Sequence, residues 1–128
     1  MRPVANGSMG RSGEVRTGRV YDPPGPDDGA RVLVDRLWPR GLAKDAAALD
    51  EWCRDVAPSN ELRKWYQHDP DRFAEFTKRY TAELDDPERA AAFAGLVARS
   101  RQGPLILLTA TKQVDISNAA VLARLIAG

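Results

Sequence analysis

The chain combines an apolar, β-branched run with a dense set of charged and aromatic side chains directly after it. The run Val32-Leu33-Val34 is typical of a strand inside a sheet. An acid, two bases and an indole follow at once: Asp35, Arg36, Trp38 and Arg40. Strand ends are where α/β folds usually bind their ligands, and arginine forks suit phosphate or carboxylate. We therefore predict a ligand site at this strand end.

Asp35 and Arg36 allow two interpretations. On a strand, Asp35 shares a face with Leu33 and Leu37, so its carboxylate needs a cation or several N–H donors. Arg36 shares the other face with Trp38, close enough for its guanidinium to stack on the indole. One interpretation is a buried Asp–Arg ion pair that holds the turn. The other is an anion site in which Arg36 binds the ligand and Asp35 orients it or acts as a catalytic base.

A second set of polar side chains follows the apolar run Leu105–Leu108. Lys112 comes after this run, and Asn118 lies at the start of the last predicted helix. If the two apolar strands are parallel, Lys112 emerges at the same sheet edge as residues 36–41. The last helix would also point its N-terminal N–H groups toward that edge, which suits an anion. Arg63 joins them only if its own short helix packs over the edge.

The remaining polar candidates have simpler interpretations. Trp38-Pro39-Arg40-Gly41 fits a tight turn, which either fixes Arg40 at the sheet edge or leaves it as a solvated turn residue. Lys64 is expected on a solvated helix face. His68, the only histidine, is interpreted as a surface or helix-terminal residue, and Cys53, the only cysteine, as a core residue. This pair cannot form a zinc site of the usual kind within one chain.

The predicted elements alternate between strands and helices. Several helices separate the second and third strands, so we expect parallel pairing through a crossover, with the orientation of the first strand left open. The fold class is therefore α/β, with a small few-stranded sheet covered by about five helices. Strands are predicted at 15–21, 31–37 and 105–109, and helices at 45–54, 59–66, 69–84, 86–101 and 117–127.

Composition indicates one domain. The chain has 128 residues, 43% of them hydrophobic and 29% charged, which is ordinary for a globular protein. The formal net charge of +1 provides no global field toward nucleic acid or a membrane. We predict one domain over residues 13–128. Residues 1–12 are rich in small and polar side chains and are expected to form a disordered tail.

Several motif classes are absent from the sequence. It contains no standard phosphate-binding glycine loop, CxxC, HExxH or GxSxG. Its apolar runs are too short for a membrane span, and no apolar signal segment follows the basic start. A single cysteine excludes an intramolecular disulfide and fits a reducing compartment. We expect a cytoplasmic protein that needs no membrane, metal or cofactor.

The chain resembles the YeaO-like branch of the family called domain of unknown function 488. The resemblance runs from about Arg19 to Ile126 and implies a small cytoplasmic bacterial α/β protein, with no established reaction. It is carried by four segments: 19–23, 28–29, 33–41 and 57–65. It highlights seven residues: Asp35, Arg36, Trp38, Arg40, Ser59, Arg63 and Lys112. Near the last helix the family tends to show Asn followed by His or Asn, where this chain has Ser117 and Asn118.

Three functions are compatible with these residues. The first is a site for a small phosphate- or carboxylate-bearing metabolite, with or without catalysis by Asp35. Its candidate ligand-binding residues are Arg36, Trp38, Arg40, Arg63, Lys112 and Asn118. The second is nucleic-acid binding, with Trp38 stacking on a base. Its basic residues would be Arg2, Arg11, Arg16 and Arg19 near the N-terminus, together with Arg40, Arg63 and Lys64. The third is a structural Asp–Arg network in a protein that acts through a partner surface. The first is favoured.

Overall fold

A computed structural model describes residues 14–128 of the chain. The predicted tail at residues 1–12 lies outside the described residues. Residues 14–128 form a four-stranded sheet and five α-helices, so the predicted α/β class is confirmed. In order, they are β1 (Val15–Arg19), β2 (Ala30–Leu33), α1 (Lys44–Ala47), β3 (Glu51–Trp52), α2 (Asn60–Tyr66), α3 (Phe73–Glu83), α4 (Pro87–Gln102), β4 (Leu105–Thr109) and α5 (Asn118–Ala127). Short 3-10 helices lie at Arg54–Val56, Pro70–Arg72 and Val114–Ile116.

The sheet is entirely parallel, with strand order β1-β4-β2-β3. The last strand is therefore inserted between the first two. The predicted parallel pairing of the second and third predicted strands is confirmed as β2 with β4, where Leu33 lies opposite Leu108. The first strand, left open by the sequence, also pairs parallel with β4. The carboxyl ends of β2 and β4 are thus neighbours at one edge of the sheet.

Both faces of the sheet are covered, which explains the unbroken apolar runs in β2 and β4. On one face, Val32 and Leu107 pack with side chains from α2, α3, α4 and α5. On the other, Leu33 and Leu108 pack with Trp38, Leu42, Leu49 and Trp52, all from the segment after β2. The strand exits therefore emerge between a helical layer and a folded-back loop.

The predicted helix over residues 45–54 is wrong. Helix α1 ends at Ala47, Ala48 has the left-handed conformation (φ 51°), and the chain then runs as β3 alongside β2. The Asp50 N–H donates to the Arg31 carbonyl at 2.8 Å, and the Cys53 N–H donates to the Leu33 carbonyl at 2.8 Å. The edge of β2 thus offers backbone partners that outweigh the local helical spacing of the apolar side chains.

Buried Arg31 fixes this change of direction. Its guanidinium donates to the carbonyls of Ala47 (3.2 Å) and Ala48 (3.0 Å), which end α1. It also pairs with the Asp28 carboxylate at 2.9 Å, in the loop before β2. The side chain is 6% exposed. Because a buried guanidinium must satisfy its donors, Arg31 joins the loop, the strand and the helix end into one unit.

The second strand is also shorter than predicted, because it ends at Leu33 instead of Leu37. The Val34 N–H still donates to the Leu108 carbonyl at 3.1 Å. Beyond this bond, the Ala110 N–H donates to the side chain of Asp35 at 2.8 Å instead of to a backbone carbonyl. A carboxylate therefore takes the place of the next ladder hydrogen bond.

The helical layer follows the sequence signals. Ser59 caps α2 by accepting from the Leu62 N–H at 3.1 Å, and Glu83 of α3 accepts from the Ser59 N–H (2.8 Å) and hydroxyl (2.6 Å). On α3, Phe76 and Tyr80 are buried. These contacts hold α2 against α3, with its last turn near the sheet edge. No helix within residues 14–128 combines the length and apolar character that a membrane crossing requires.

Candidate functional site

A cavity of about 460 Å³ lies at the carboxyl ends of β2 and β4. This volume is in the range of small-molecule sites. The segment after β2, helix α2 and its following turn, the end of β4 and the start of α5 all contribute to its wall. The lining residues include Asp35, Arg36, Trp38, Arg63, Lys64, Tyr66, His68, Phe76, Thr111 and Asn118. The position agrees with the rule that parallel sheets bind ligands beyond their strand ends.

Asp35 is anchored by one carboxylate oxygen. Its Oδ2 accepts from the Ala110 N–H at 2.8 Å and from the Thr109 hydroxyl at 3.1 Å. Its backbone carbonyl accepts from the Trp52 indole N–H at 2.8 Å. The other carboxylate oxygen, Oδ1, accepts no hydrogen bond from residues 14–128. The side chain is therefore held rigidly while one acceptor stays available in the cavity wall.

Burial raises the pKa of the Asp35 carboxyl above its ordinary value. The hydrogen bonds from Ala110 and Thr109, and the electrostatic effects of His68 and Arg63, lower this pKa but do not cancel the effect of burial. The Asp35–Arg36 ion pair of the first interpretation is not formed, since Asp35 accepts hydrogen bonds from the end of β4 and its following residue. The requirement for hydrogen-bond donors was anticipated correctly, but their source is the neighbouring strand end.

Three cationic side chains line the cavity: Arg36, Arg63 and Lys64. None of them forms a salt bridge with an acidic side chain of the described residues. Arg63 donates to the Asn60 side-chain oxygen at 2.6 Å, which leaves most of its guanidinium donors available. Asp35 is the only acidic lining residue within residues 14–128, so this part of the wall carries an excess of positive charge.

His68 and Lys64 are exposed, as the sequence predicts, and both also line the cavity, which the sequence did not indicate. Helix α2 ends at Tyr66, and both Gln67 and His68 have left-handed backbone conformations (φ 49° and 55°). This turn brings His68 to the cavity wall, with its ring centroid 5.6 Å from that of Tyr66. Left-handed residues other than glycine carry weak sequence signals. The one sequence signal was Asp69-Pro70, which begins the next helical segment directly after His68 and so favours a sharp turn after α2.

The apolar part of the wall includes Trp38 and Phe76. Trp38 does not stack on Arg36: its ring lies edge-on to Trp52, with centroids 5.2 Å apart. Its indole N–H donates to the Leu42 carbonyl at 2.7 Å. Trp38 therefore offers a fixed aromatic surface to the cavity, without a free polar group.

Asn118 and Ser117 have different roles at the start of α5. Asn118 lines the cavity and donates from Nδ2 to the Val34 carbonyl at 2.9 Å, which ties α5 to the end of β2. Ser117 is buried and accepts from the Ala120 N–H at 3.2 Å as the helix cap. Of the two residues at the family's Asn-His/Asn position, only Asn118 reaches the cavity wall.

Arg40 and Lys112 lie outside the cavity lining. Both are exposed. The Arg40 backbone carbonyl accepts from the Tyr21 hydroxyl at 2.8 Å, so the turn is fixed while its guanidinium stays in solvent. Lys112 follows Thr111, which does line the cavity. Within residues 14–128, no cluster of three or more His, Cys, Asp or Glu side chains is arranged to bind a metal ion.

Comparison with known proteins identifies the family. The family described as the inactive DUF488-N3 subclade matches residues 14–128. The chain belongs to the YeaO-like DUF488 family. Its relatives include an uncharacterized protein of Mycobacterium tuberculosis, 52% identical over 120 residues, with 94% of this chain and 99% of that protein covered. The uncharacterized protein YeaO of Escherichia coli is 42% identical over 109 residues, with 85% and 93% covered. No solved structure matches the chain significantly.

Proposed function

We propose that this DUF488 protein binds a small anionic ligand, bearing phosphate or carboxylate, in the cavity at the ends of β2 and β4. The observation that carries the proposal is the presence of Arg36, Arg63 and Lys64 in one cavity wall without acidic partners among the described residues. Unpaired cations in a concave site favour an anionic guest, and arginine forks match the geometry of phosphate and carboxylate.

Binding is the function that this cavity supports best, and acid/base catalysis by Asp35 is the second candidate. Among the residues that the structure describes, Asp35 is the one lining carboxylate, and its raised pKa moves it toward the range that suits an acid/base group. The matching subclade is described as inactive, which favours a role without catalysis. We place the protein in the bacterial cytoplasm, because a single cysteine fits a reducing compartment.

Phosphate binding by matched variants tests the proposal. Arg36→Gln and Arg40→Gln make the same change of charge in the same loop, but only Arg36 lines the cavity. Ethyl phosphate should raise the melting temperature of the wild-type protein by mass action. Loss of one charge-assisted hydrogen bond should weaken its affinity for Arg36→Gln about tenfold or more, measured by calorimetry. Arg40→Gln should bind like wild type. Equal affinities for all three proteins, or no binding to wild type, would refute the proposal.

Nucleic-acid binding stays a prediction without structural support. Arg2 and Arg11, on which it partly relied, lie outside the described residues. Arg16 and Arg19 donate hydrogen bonds within the fold. A gel-shift assay at low and high salt, with and without residues 1–13, would reveal such binding, since phosphate contacts weaken steeply with salt.

A further inference from the structure

The Asp35 carboxylate is an unusual group to find in the wall of an anion site, because its negative charge would repel an anionic ligand. Its Oδ2 is fully used by Ala110 and Thr109, and its Oδ1 accepts nothing from residues 14–128. In the same wall stand the cations Arg36, Arg63 and Lys64. A ligand that carried only negative charge would gain from the cations and be repelled by Asp35.

We propose that the ligand carries a hydrogen-bond donor, a hydroxyl or an ammonium, close to its anionic group, and that Asp35 Oδ1 accepts from it. This inference rests on the proposed anion site. The cavity, at about 460 Å³, is larger than a bare phosphate or carboxylate needs, so there is room for a second functional group. The anchoring of Oδ2 keeps Oδ1 in place before the ligand arrives, so little side-chain ordering is left for binding.

The alternative is that Asp35 is protonated in the site and donates to a bare anion. The two cases differ in what the best ligand looks like. An ionised Asp35 prefers a ligand with a donor, whereas a neutral Asp35 prefers the anion alone and loses it as the pH rises. Burial raises the Asp35 pKa, which makes the ionised carboxylate a stronger hydrogen-bond acceptor but also favours its neutral form, so the pKa does not choose between the two cases and the ligand must.

Three probes with one phosphate each separate these cases: ethyl phosphate, 2-hydroxyethyl phosphate and O-phosphoethanolamine. The second adds a hydroxyl at the same charge, and the third adds an ammonium that lowers the net negative charge. Simple attraction to the cations predicts the weakest binding for O-phosphoethanolamine. The proposal predicts that at least one donor-bearing probe binds wild type about tenfold more tightly than ethyl phosphate, as a charge-assisted hydrogen bond would give. Which of the two donor-bearing probes binds more tightly shows whether the donor is a hydroxyl or an ammonium.

The Asp35→Asn variant completes the test by calorimetry at pH 8. Asn can keep the acceptor for Ala110 and Thr109, and it turns an NH₂ group toward the cavity in place of Oδ1. The advantage of the donor-bearing probe should disappear, while ethyl phosphate still binds. Asp115→Asn makes the same charge change at an exposed residue outside the lining and should keep the advantage.

The outcomes separate this inference from the proposed function. If ethyl phosphate binds wild type at least as tightly as both donor-bearing probes, or if the advantage persists in Asp35→Asn, the inference is wrong and the anion site stands. If none of the three probes binds wild type, the anion site fails and the inference fails with it.

Discussion

Replacing Asp35 should separate its structural role from the cost of its charge. Asp35→Asn can keep the hydrogen bonds from the Ala110 N–H and the Thr109 hydroxyl, whereas Asp35→Ala removes both. Thr109 is 2% exposed, so its hydroxyl is largely shielded from water. A buried donor left without an acceptor costs about 1–3 kcal/mol. The Asp35→Asn variant should therefore have a free energy of unfolding about 1–3 kcal/mol higher than that of Asp35→Ala at every pH. Each kcal/mol corresponds to roughly 4 °C in melting temperature.

The difference in the free energy of unfolding between wild type and Asp35→Asn should depend on pH, and the raised pKa of Asp35 determines the sign of that dependence. The folded protein holds the Asp35 proton more tightly than the unfolded chain does, so protonation favours folding. This contribution is present below pH 3.8, the ordinary value of the carboxyl, and is lost as the pH rises through the raised pKa. Above that pKa, the ionised wild type should be no more stable than Asp35→Asn. Below pH 3.8, the stability that Asp35→Asn gains over wild type should vanish.

Urea denaturation at a series of pH values measures these differences. Subtracting the free energy of unfolding of wild type from that of Asp35→Asn isolates Asp35 from the other titrating groups. The difference should grow in favour of Asn as the pH rises from about 3.8 toward 7. A difference that is independent of pH, or one that grows in favour of wild type, would show that burial does not determine the pKa of the Asp35 carboxyl.

Three further predictions concern the scaffold. Arg31→Ala removes one of the partners of half-buried Asp28 and leaves the carbonyls at the end of α1 without their side-chain donor, so it should lower the free energy of unfolding by about 1–3 kcal/mol in urea. Gly29→Ala should cost at least about 1–3 kcal/mol from backbone strain alone (φ 70°), and more because its Cβ would lie 2.1 Å from the Pro104 carbonyl oxygen; a melting temperature equal to wild type would contradict this. Burial raises the pKa of the Cys53 thiol to about 11, so iodoacetamide at pH 8 should label it only in denaturant.

Elements with strong local signals were predictable from the sequence. Ser59 and Asp69 cap their helices where the capping rule places them. The all-apolar run Leu105–Leu108 is fully buried in a central strand, as covered parallel strands require. The parallel arrangement of β2 and β4 then followed from the helices between them. This was enough to place a site at the correct sheet edge.

Features that depend on tertiary contacts were not predictable. Strand β3 has two residues, and its conformation comes from the backbone of β2, not from its own sequence. Asp35 lies near a positive wall because α2 docks through Ser59 on Glu83, a contact between residues 24 positions apart. The placement of His68 at the cavity depends on the left-handed backbone conformations of Gln67 and His68, and neither residue is a glycine, so the sequence did not indicate them. Local patterns cannot report such contacts.

Mapping the site of ethyl phosphate binding by NMR tests the central claim most directly. In a titration of ¹⁵N-labelled protein at pH 7 and low salt, backbone amides at the cavity wall should shift together and saturate with one affinity. The expected set lies in residues 35–38, 63–68 and 109–111. Arg63→Gln should weaken that affinity and leave the same residues affected. Shifts confined to residues 1–13, or spread over exposed basic residues without saturation, would contradict a built anion site at the ends of β2 and β4.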